Sequence, residues 1–405
     1  MNSNFVPVIL GNDINAYSMA RSFYEAYGVT SVVVAKTKSG FVSNTASKVI
    51  KFYEYPDLDN SEEFITVMTN LRQEFQGKDM IILGCADNYV RTISNNKEAL
   101  QSIGYIVPVG EKSVIDNIMR KEIFYELCDR YRISHPKTFV YKPWMDYIIN
   151  YNFPYPMIVK PADTVDYHNH SFPGQKKIYS VASEEELIVL LKRIYEAGYM
   201  GNMIVQETIP GGASNEYDMQ IYIGHDHKAK LVSLARVLVI DEDDKTRGNN
   251  LASITTYNES LMKKISHVLE LIGYEGFADA DIKYDERDGE FKVLEINARQ
   301  GGSHYRVTGS GHNLAKLLVE DQIEHEPKEL ELVNTPYYWS IVPHKVVYAV
   351  TDDKELLEEV RELLKSGHFG NSLDFEKDNT FKRRQMLRAR SIKLFNKYIK
   401  YYLKS

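Results

Sequence analysis

Three short apolar runs, FVPVIL at 5–10, SVVVA at 31–35 and DMIILG at 79–84, are separated by stretches with helical periodicity. The first of those stretches, INAYSMARSFYEAYG, spaces its apolar residues three and four apart and closes on Gly28. Runs without polar alternation fit strands covered on both faces, and helices between them leave the strands parallel. The start of the chain is thereby restricted to a parallel α/β layer. Ligands on such layers bind beyond the carboxyl ends of the strands. Asp13 and Asn15 follow the first run, and Asp87 and Asn88 follow the third. These four are candidates for contact with a substrate, or they only cap the helices that come next.

The layer is Rossmann-like but has no G-x-G-x-x-G; Gly11-Asn12-Asp13 is a different turn. At Glu111 the pattern changes. FPYPMIVKPAD reads as a strand carrying Lys160 immediately before a proline, and NMIVQETIPGG as another that enters a glycine loop. Between them lie the polar stretch around Gly174 and a helix with an acidic first turn, SEEELIVLLKRIYEAGY. From Glu331 a third segment begins, with an acidic helix followed by a basic one, and it reads as an appendage. A chain of 405 residues accommodates two to three domains at roughly 100–200 residues each.

Charge is unevenly spread. Residues 380–405 hold nine Lys/Arg and no Asp/Glu; with −7 on the whole chain, the preceding 379 residues carry −16. That distribution speaks against nucleic acid as a partner, which would call for basic charge over a face. No apolar run approaches the ~18 residues of a membrane span, and no secretory leader is recognisable. Two cysteines, Cys85 and Cys128, fit a reducing compartment. The expected location is the cytoplasm, or the inner face of the membrane if the basic helix touches it.

The chemistry concentrates near VLEINARQGGSHYRVTG at 293–309. Glu295, Asn297 and Arg299 alternate along a strand-like run, and Gly301 and Gly302 follow. Upstream, DERDGE contains Asp-Gly, a strong hairpin signal. The predicted antiparallel pairing brings Asp281 beside Glu295 and Asn297 on one face. Two carboxylates and an amide oxygen make an oxygen-only site suited to Mg²⁺, with room for two ions bridged by Glu295 and Mn²⁺ as a substitute. Arg299 would face the same place and neutralise charge on a transferring phosphoryl group. The glycines let backbone N–H groups approach an anion.

This ordered set resembles the ATP-grasp superfamily of carboxylate–amine ligases over roughly residues 111–321, with the Rossmann-like layer in place of the usual N-terminal domain. The resemblance implies an α/β (α+β) fold. Its parts would be a Rossmann-like domain at 1–110, an ATP-grasp small lobe at 111–205, a large lobe with the metal site at 206–330 and an appendage at 331–405. ILGNDINAYSMARSFYEAYG, RIYEAGYMGNMIVQETIPG, GFADADIKYDERDGEFKVLEINARQG and the basic C-terminus resemble, more narrowly, the D-aspartate ligase group of Gram-positive wall synthesis. By that resemblance Lys160, with Lys121 and Lys176, would bind ATP phosphates. Gln206, Glu207, Thr208 and Ile209 would hold adenine, and Asp281, Glu295 and Asn297 would hold Mg²⁺. Arg299 would stabilise an acyl phosphate, with Gly301, Gly302 and Ser303 against that anion. The implied partners are ATP, an amino acid (D-aspartate) and an amine acceptor, a peptidoglycan precursor. The alternatives are a ligase of another amino-acid or dipeptide pair, and a nucleotide-binding sensor without turnover.

Other features have plain readings. His168-x-His170 and His225-x-His227 lack companion ligands and read as loop histidines. Arg236, inside an apolar strand, and Arg247, in a polar loop, would hold a substrate carboxylate or form structural ion pairs. The chain just before Gly248-Asn249 departs from the D-aspartate ligase pattern, which leaves amino-acid specificity open. The basic helix, with Leu387, Leu394, Phe395, Tyr398, Ile399 and Tyr402 on one stripe, would pack on the protein, lie weakly on an anionic membrane, or attract a diphosphate.

Overall fold

The computed structural model describes residues 4–38, 41, 46–145, 147, 151–241 and 248–402. Strands β1 (Phe5–Leu10), β2 (Ser31–Ala35), β3 (Ile50–Glu54), β4 (Asp79–Gly84) and β5 (Tyr105–Ile106) form a parallel sheet in the order β3-β2-β1-β4-β5. Every residue of β1 and β2 is buried, which is why those runs lack alternation. Helix Ile14–Tyr27 starts at Asp13, whose carboxylate accepts from the Ala16 N–H, and stops at Gly28 with φ +69°.

A second, antiparallel sheet holds β6 (Thr138–Tyr141), β7 (Met157–Pro161), β8 (Tyr179–Val181) and β9 (Met203–Glu207), ordered β6-β9-β7-β8. Helix Glu184–Glu196 packs Leu187, Leu191 and Ile194 against Val159 and Val205 of this sheet. Each such aliphatic side chain contributes about 1.5–3 kcal/mol by leaving water.

The third sheet is built from β10 (Glu216–Ile223), β11 (Ala229–Ile240), β12 (Asn250–Thr256), β13 (Gly276–Asp285) and β14 (Glu290–Asn297). It also takes in β15 (Glu331–Leu332), β16 (Tyr338–Ser340) and β17 (Phe369–Gly370), in the order β14-β13-β10-β11-β12-β16-β17 with β15 along β11. One apolar cluster runs from Val8 and Ile82 through Ile115 and Ile118 to Ile221, Ile282 and Ile296, so the parallel layer and the large sheet share a core.

The segment after Glu331 is threaded into this body. β16 pairs with β12, and helix Lys354–Ser366 buries Leu356, Val360 and Leu363 with Leu238 and Ile254. Asp378 accepts from the Tyr17 hydroxyl (2.9 Å), the Ser47 hydroxyl (2.7 Å) and the Lys48 N–H (2.6 Å), and it pairs with buried Arg383. The basic helix Phe381–Tyr402 buries Tyr398 and half-buries Leu394 and Phe395, while Lys397 bonds Asp241 at 3.0 Å. Its apolar stripe is therefore taken up by the protein itself. No helix among the described residues is long and apolar enough to cross a membrane.

Candidate active site

The hairpin sets the site. Gly289 has φ +74° in the turn and donates to the Asp285 carbonyl at 2.8 Å. In the resulting register Asp281 faces Glu295 and Asp279 faces Asn297, while β10 adds Asp218 beside Asp281 and Gln220 beside Asp279. Side chains two apart share a face, so one polar face carries all six groups while Ala280, Ile282 and Ile296 enter the core. The register shifts just after Asp281, where Ile282 pairs with Val293 and Leu294 becomes the extra residue. Such a bulge re-aims the backbone. Here the Leu294 carbonyl accepts from the Tyr125 hydroxyl at 2.5 Å and from Lys160 Nζ at 3.4 Å.

Three lysines converge on Glu295. Lys121 Nζ lies 2.9 Å from Oε2, Lys177 Nζ lies 4.0 Å from Oε1, and Lys160 approaches from the end of β7. Together they hold the Glu295 carboxyl well below its ordinary range despite burial. Lys160 is pushed down to about 8, first by burial and then by repulsion from Lys121 and Lys177. A bound phosphate would reverse that, so without divalent cation ADP should bind with proton uptake above pH 8. Its affinity should fall as pH rises through that value, measurable by calorimetry in buffers of different ionisation enthalpy. Of the Gln175-Lys176-Lys177 stretch, it is Lys177 that reaches Glu295. The Lys176 N–H bonds the Tyr179 hydroxyl at 2.8 Å.

The donor set fits Mg²⁺. Burial, and then Glu295 nearby, push the Asp281 carboxyl up to about 7. A divalent cation between the two carboxylates would remove that repulsion. Asn297 turns its amide to Asp281 at 3.3 Å, within the same set. Among the described residues no three His, Cys, Asp or Glu side chains are gathered closely enough to hold a metal alone. An ion here would complete its shell with phosphate oxygens and water, as Mg²⁺ commonly does.

Arg299 points to the parallel layer. Its Nε donates to Asp87 at 2.9 Å, and Nη1 lies 3.7 Å from Asp279. Asn15 donates to the Gln300 carbonyl at 2.9 Å and the Cys85 carbonyl at 3.2 Å. Burial raises Asp13, and Arg299 is near enough to oppose this. Asn88, beside Asp87, is half-buried. The strand ends of the layer thus meet the end of β14.

The Gly301 N–H bonds Gln220 Oε1 at 2.9 Å, and Gln220 Nε2 bonds Asp279 at 2.6 Å. A Cβ on Gly301 would collide with both side chains. Gly301→Ala should therefore cost about 1–3 kcal/mol of stability, read from the midpoint of urea unfolding. Gly302 is exposed with open space around it. The Ser303 hydroxyl is buried on Asp218, which also pairs with fully buried Arg306 at 2.9 Å. It props the loop from beneath rather than facing the cleft.

A cleft of about 620 Å³ opens between the small and large sheets, lined by Ile158, Lys160, Lys177, Ile282, Leu294 and Glu295 among others. That volume suits a nucleotide. Gln206 and Glu207 pair with Ile158 and Met157 across β7–β9. Gln206 bonds the Thr138 hydroxyl at 2.7 Å, Thr208 bonds the Pro156 carbonyl at 2.7 Å, and Ile209 is buried. Glu207 is already engaged, by the Lys137 N–H at 2.9 Å and Arg287 at 3.0 Å. Arg236 donates to the Ser214 carbonyl at 2.7 Å and pairs with Asp353 at 3.0 Å, the structural alternative named above. Arg247 lies outside the described residues.

Asp218, Gln220, Asp279 and Arg306 join the site without having been singled out in the sequence, and Lys177 joins it from the polar stretch around Gly174. The alternation in EYDMQIYI and FADADIKYD held the signal for the first three: a polar residue at every second place of an apolar strand.

No family model matches the chain. The D-aspartate ligase of Enterococcus faecium (strain Aus0004) is 34% identical over 416 residues, covering 98% of this chain and 96% of that protein. Among solved structures, the L-amino acid ligase from Bacillus licheniformis superposes with a TM-score of 0.57 at 16% identity, covering 80% of this chain and 75% of that one. The biotin carboxylase domain of Hydrogenobacter thermophilus 2-oxoglutarate carboxylase, solved with MgADP, gives 0.59 at 13% identity, with 80% and 70% covered. Fold and site together define an ATP-grasp enzyme, an ATP-dependent ligase that forms C–N bonds. Within that class, the chain belongs to the D-aspartate ligase family.

Proposed function

We propose that this ligase activates the β-carboxylate of D-aspartate and joins it to the side-chain amine of lysine in the stem peptide of a peptidoglycan precursor, working in the cytoplasm. The observation that carries this reading is the 34% identity to a D-aspartate ligase along nearly the whole of both chains.

A carboxylate acylates poorly because its leaving group would be oxide or hydroxide. Attack of a carboxylate oxygen on the γ-phosphorus, with departure of ADP, gives an acyl phosphate. The amine then attacks the acyl carbon, losing a proton, and phosphate leaves as the amide forms. Positioning and charge neutralisation supply most of the catalysis in such transfers. Mg²⁺ held by Asp281, Glu295 and Asn297 would neutralise phosphate charge. Lys160 and Lys177 reach the cleft from the small sheet and would hold phosphate oxygens there. Arg299, at the junction with the parallel layer, stabilises the acyl phosphate, and the layer's strand ends with Asp13, Asn15 and Asp87 face the amino acid.

ADP release with Mg²⁺, measured over a panel of D- and L-amino acids with and without wall precursor, tests the proposal. Turnover with D-aspartate plus precursor is expected. Turnover with another pair would reassign the substrates, and tight ATP binding without turnover on any pair would make the protein a nucleotide sensor.

A further inference from the structure

A second cavity, of about 510 Å³, lies away from the nucleotide cleft, beneath the basic C-terminal helix. Its wall on that helix is Arg384, Leu387, Ser391 and Leu394, three and four residues apart on one face, with Arg390 at the flank. Tyr337 and Arg21 stand opposite. Leu387 and Leu394 pack on neighbouring cores and also border this space, so the wall is held in place by the body of the protein.

The polar groups around this space are incompletely satisfied. Arg21 is committed, donating to Glu25 and to the carbonyls of Asn371, Ser372 and Asp374. Arg384 and Arg390 form no ion pair among the described residues. Arg390 Nε is buried without a partner, and burial works against its charge. Asn379 Oδ1 is also buried without a partner. Asp374 is the carboxylate on the wall, and Asp241 attracts Arg390 from outside it without forming an ion pair. A buried donor and a buried acceptor left open are each destabilising. A ligand that satisfies both must carry an anion for the arginines and an O–H or N–H for the asparagine. Guanidinium forks match phosphate geometry, and the volume admits an organic molecule rather than a bare ion.

We propose that this cavity binds an organic phosphate bearing a hydroxyl, with Arg384 and Arg390 on the phosphate, Asn379 on the hydroxyl, and Leu387, Leu394 and Tyr337 against its carbon skeleton. The site is separate from the ligase centre, and its occupancy does not depend on which substrates that centre joins.

The test uses the full chain with its nucleotide cleft saturated by MgADP. Glycerol 3-phosphate and vesicles containing phosphatidylglycerol present the same headgroup chemistry from a soluble and a lipid source. At least one should bind, seen as a raised thermal midpoint or as co-sedimentation. Arg384→Gln and Arg390→Gln should each weaken that binding by about tenfold or more, with MgADP affinity unchanged. Arg384 is exposed, so its variant keeps the test valid if the Arg390 variant folds poorly. Binding of glycerol 3-phosphate alone assigns a soluble ligand; binding of vesicles alone, lost in Arg384→Gln, assigns a headgroup. The proposal is overturned if neither probe binds beside MgADP. Equal binding by wild type and both variants would overturn it too, as would vesicle binding that depends on exposed Lys393 and not on Arg384.

Discussion

Glu295→Gln should reduce the rate of ADP release by about three orders of magnitude while leaving the fold intact. The side chain keeps its size, but its charge is the anion on which Lys121, Lys177 and Lys160 converge. Without it three ammonium groups repel one another across one point, and one carboxylate, Asp281, with the Asn297 amide holds a hard cation poorly against water. Loss of a group aimed at developing charge costs roughly 10²–10³ in turnover, and impaired metal binding adds to that. ADP affinity measured without Mg²⁺ should rise or stay level, because the lysines are freed for phosphate. A variant with wild-type turnover would remove Glu295 from the metal site, and one that loses ADP binding without Mg²⁺ would make it a nucleotide contact.

Arg299→Lys should lower turnover by about 10²-fold or more, since a single ammonium cannot span Asp87 and Asp279 as the guanidinium does. In the wild type those neighbouring carboxylates hold the Arg299 charge more firmly than usual, so the clamp is positive at any working pH. Single-turnover formation of ADP should slow while the dissociation constant of MgADP changes less than threefold, a bound we set at about 0.6 kcal/mol. Equal loss in binding and in rate would place Arg299 on the nucleotide instead of on the transferring group.

Much of the site was legible because the hairpin fixes it. An Asp-Gly turn and two alternating strands leave one register, and Asp281 faces Glu295 in it. The parallel layer was equally plain, since both-faces burial writes itself as unbroken apolar runs. What escaped depends on partners distant in sequence. Lys176 and Lys177 are adjacent and chemically alike, and only the path of the chain decides that Lys177 reaches Glu295. Ser303 follows a glycine pair, as an anion-binding serine would, yet Asp218 draws its hydroxyl inward. Glu207 looks like an open strand end until Arg287, from the hairpin turn, and Lys292 close on it. The basic helix has charges arranged as for a membrane surface, but Tyr398 and Asp241 hold it against the protein.

The bond between Tyr17 and Asp378 joins residues 361 positions apart, and Ser47 and Lys48 wait for the same carboxylate. Translation at 5–20 residues per second puts roughly 18–72 s between the emergence of the two partners. Through that interval the Tyr17 hydroxyl and the Lys48 amide lack the carboxylate that binds them in the finished fold. The parallel layer thus receives its last hydrogen-bond acceptor only after the strands of all three sheets have been made.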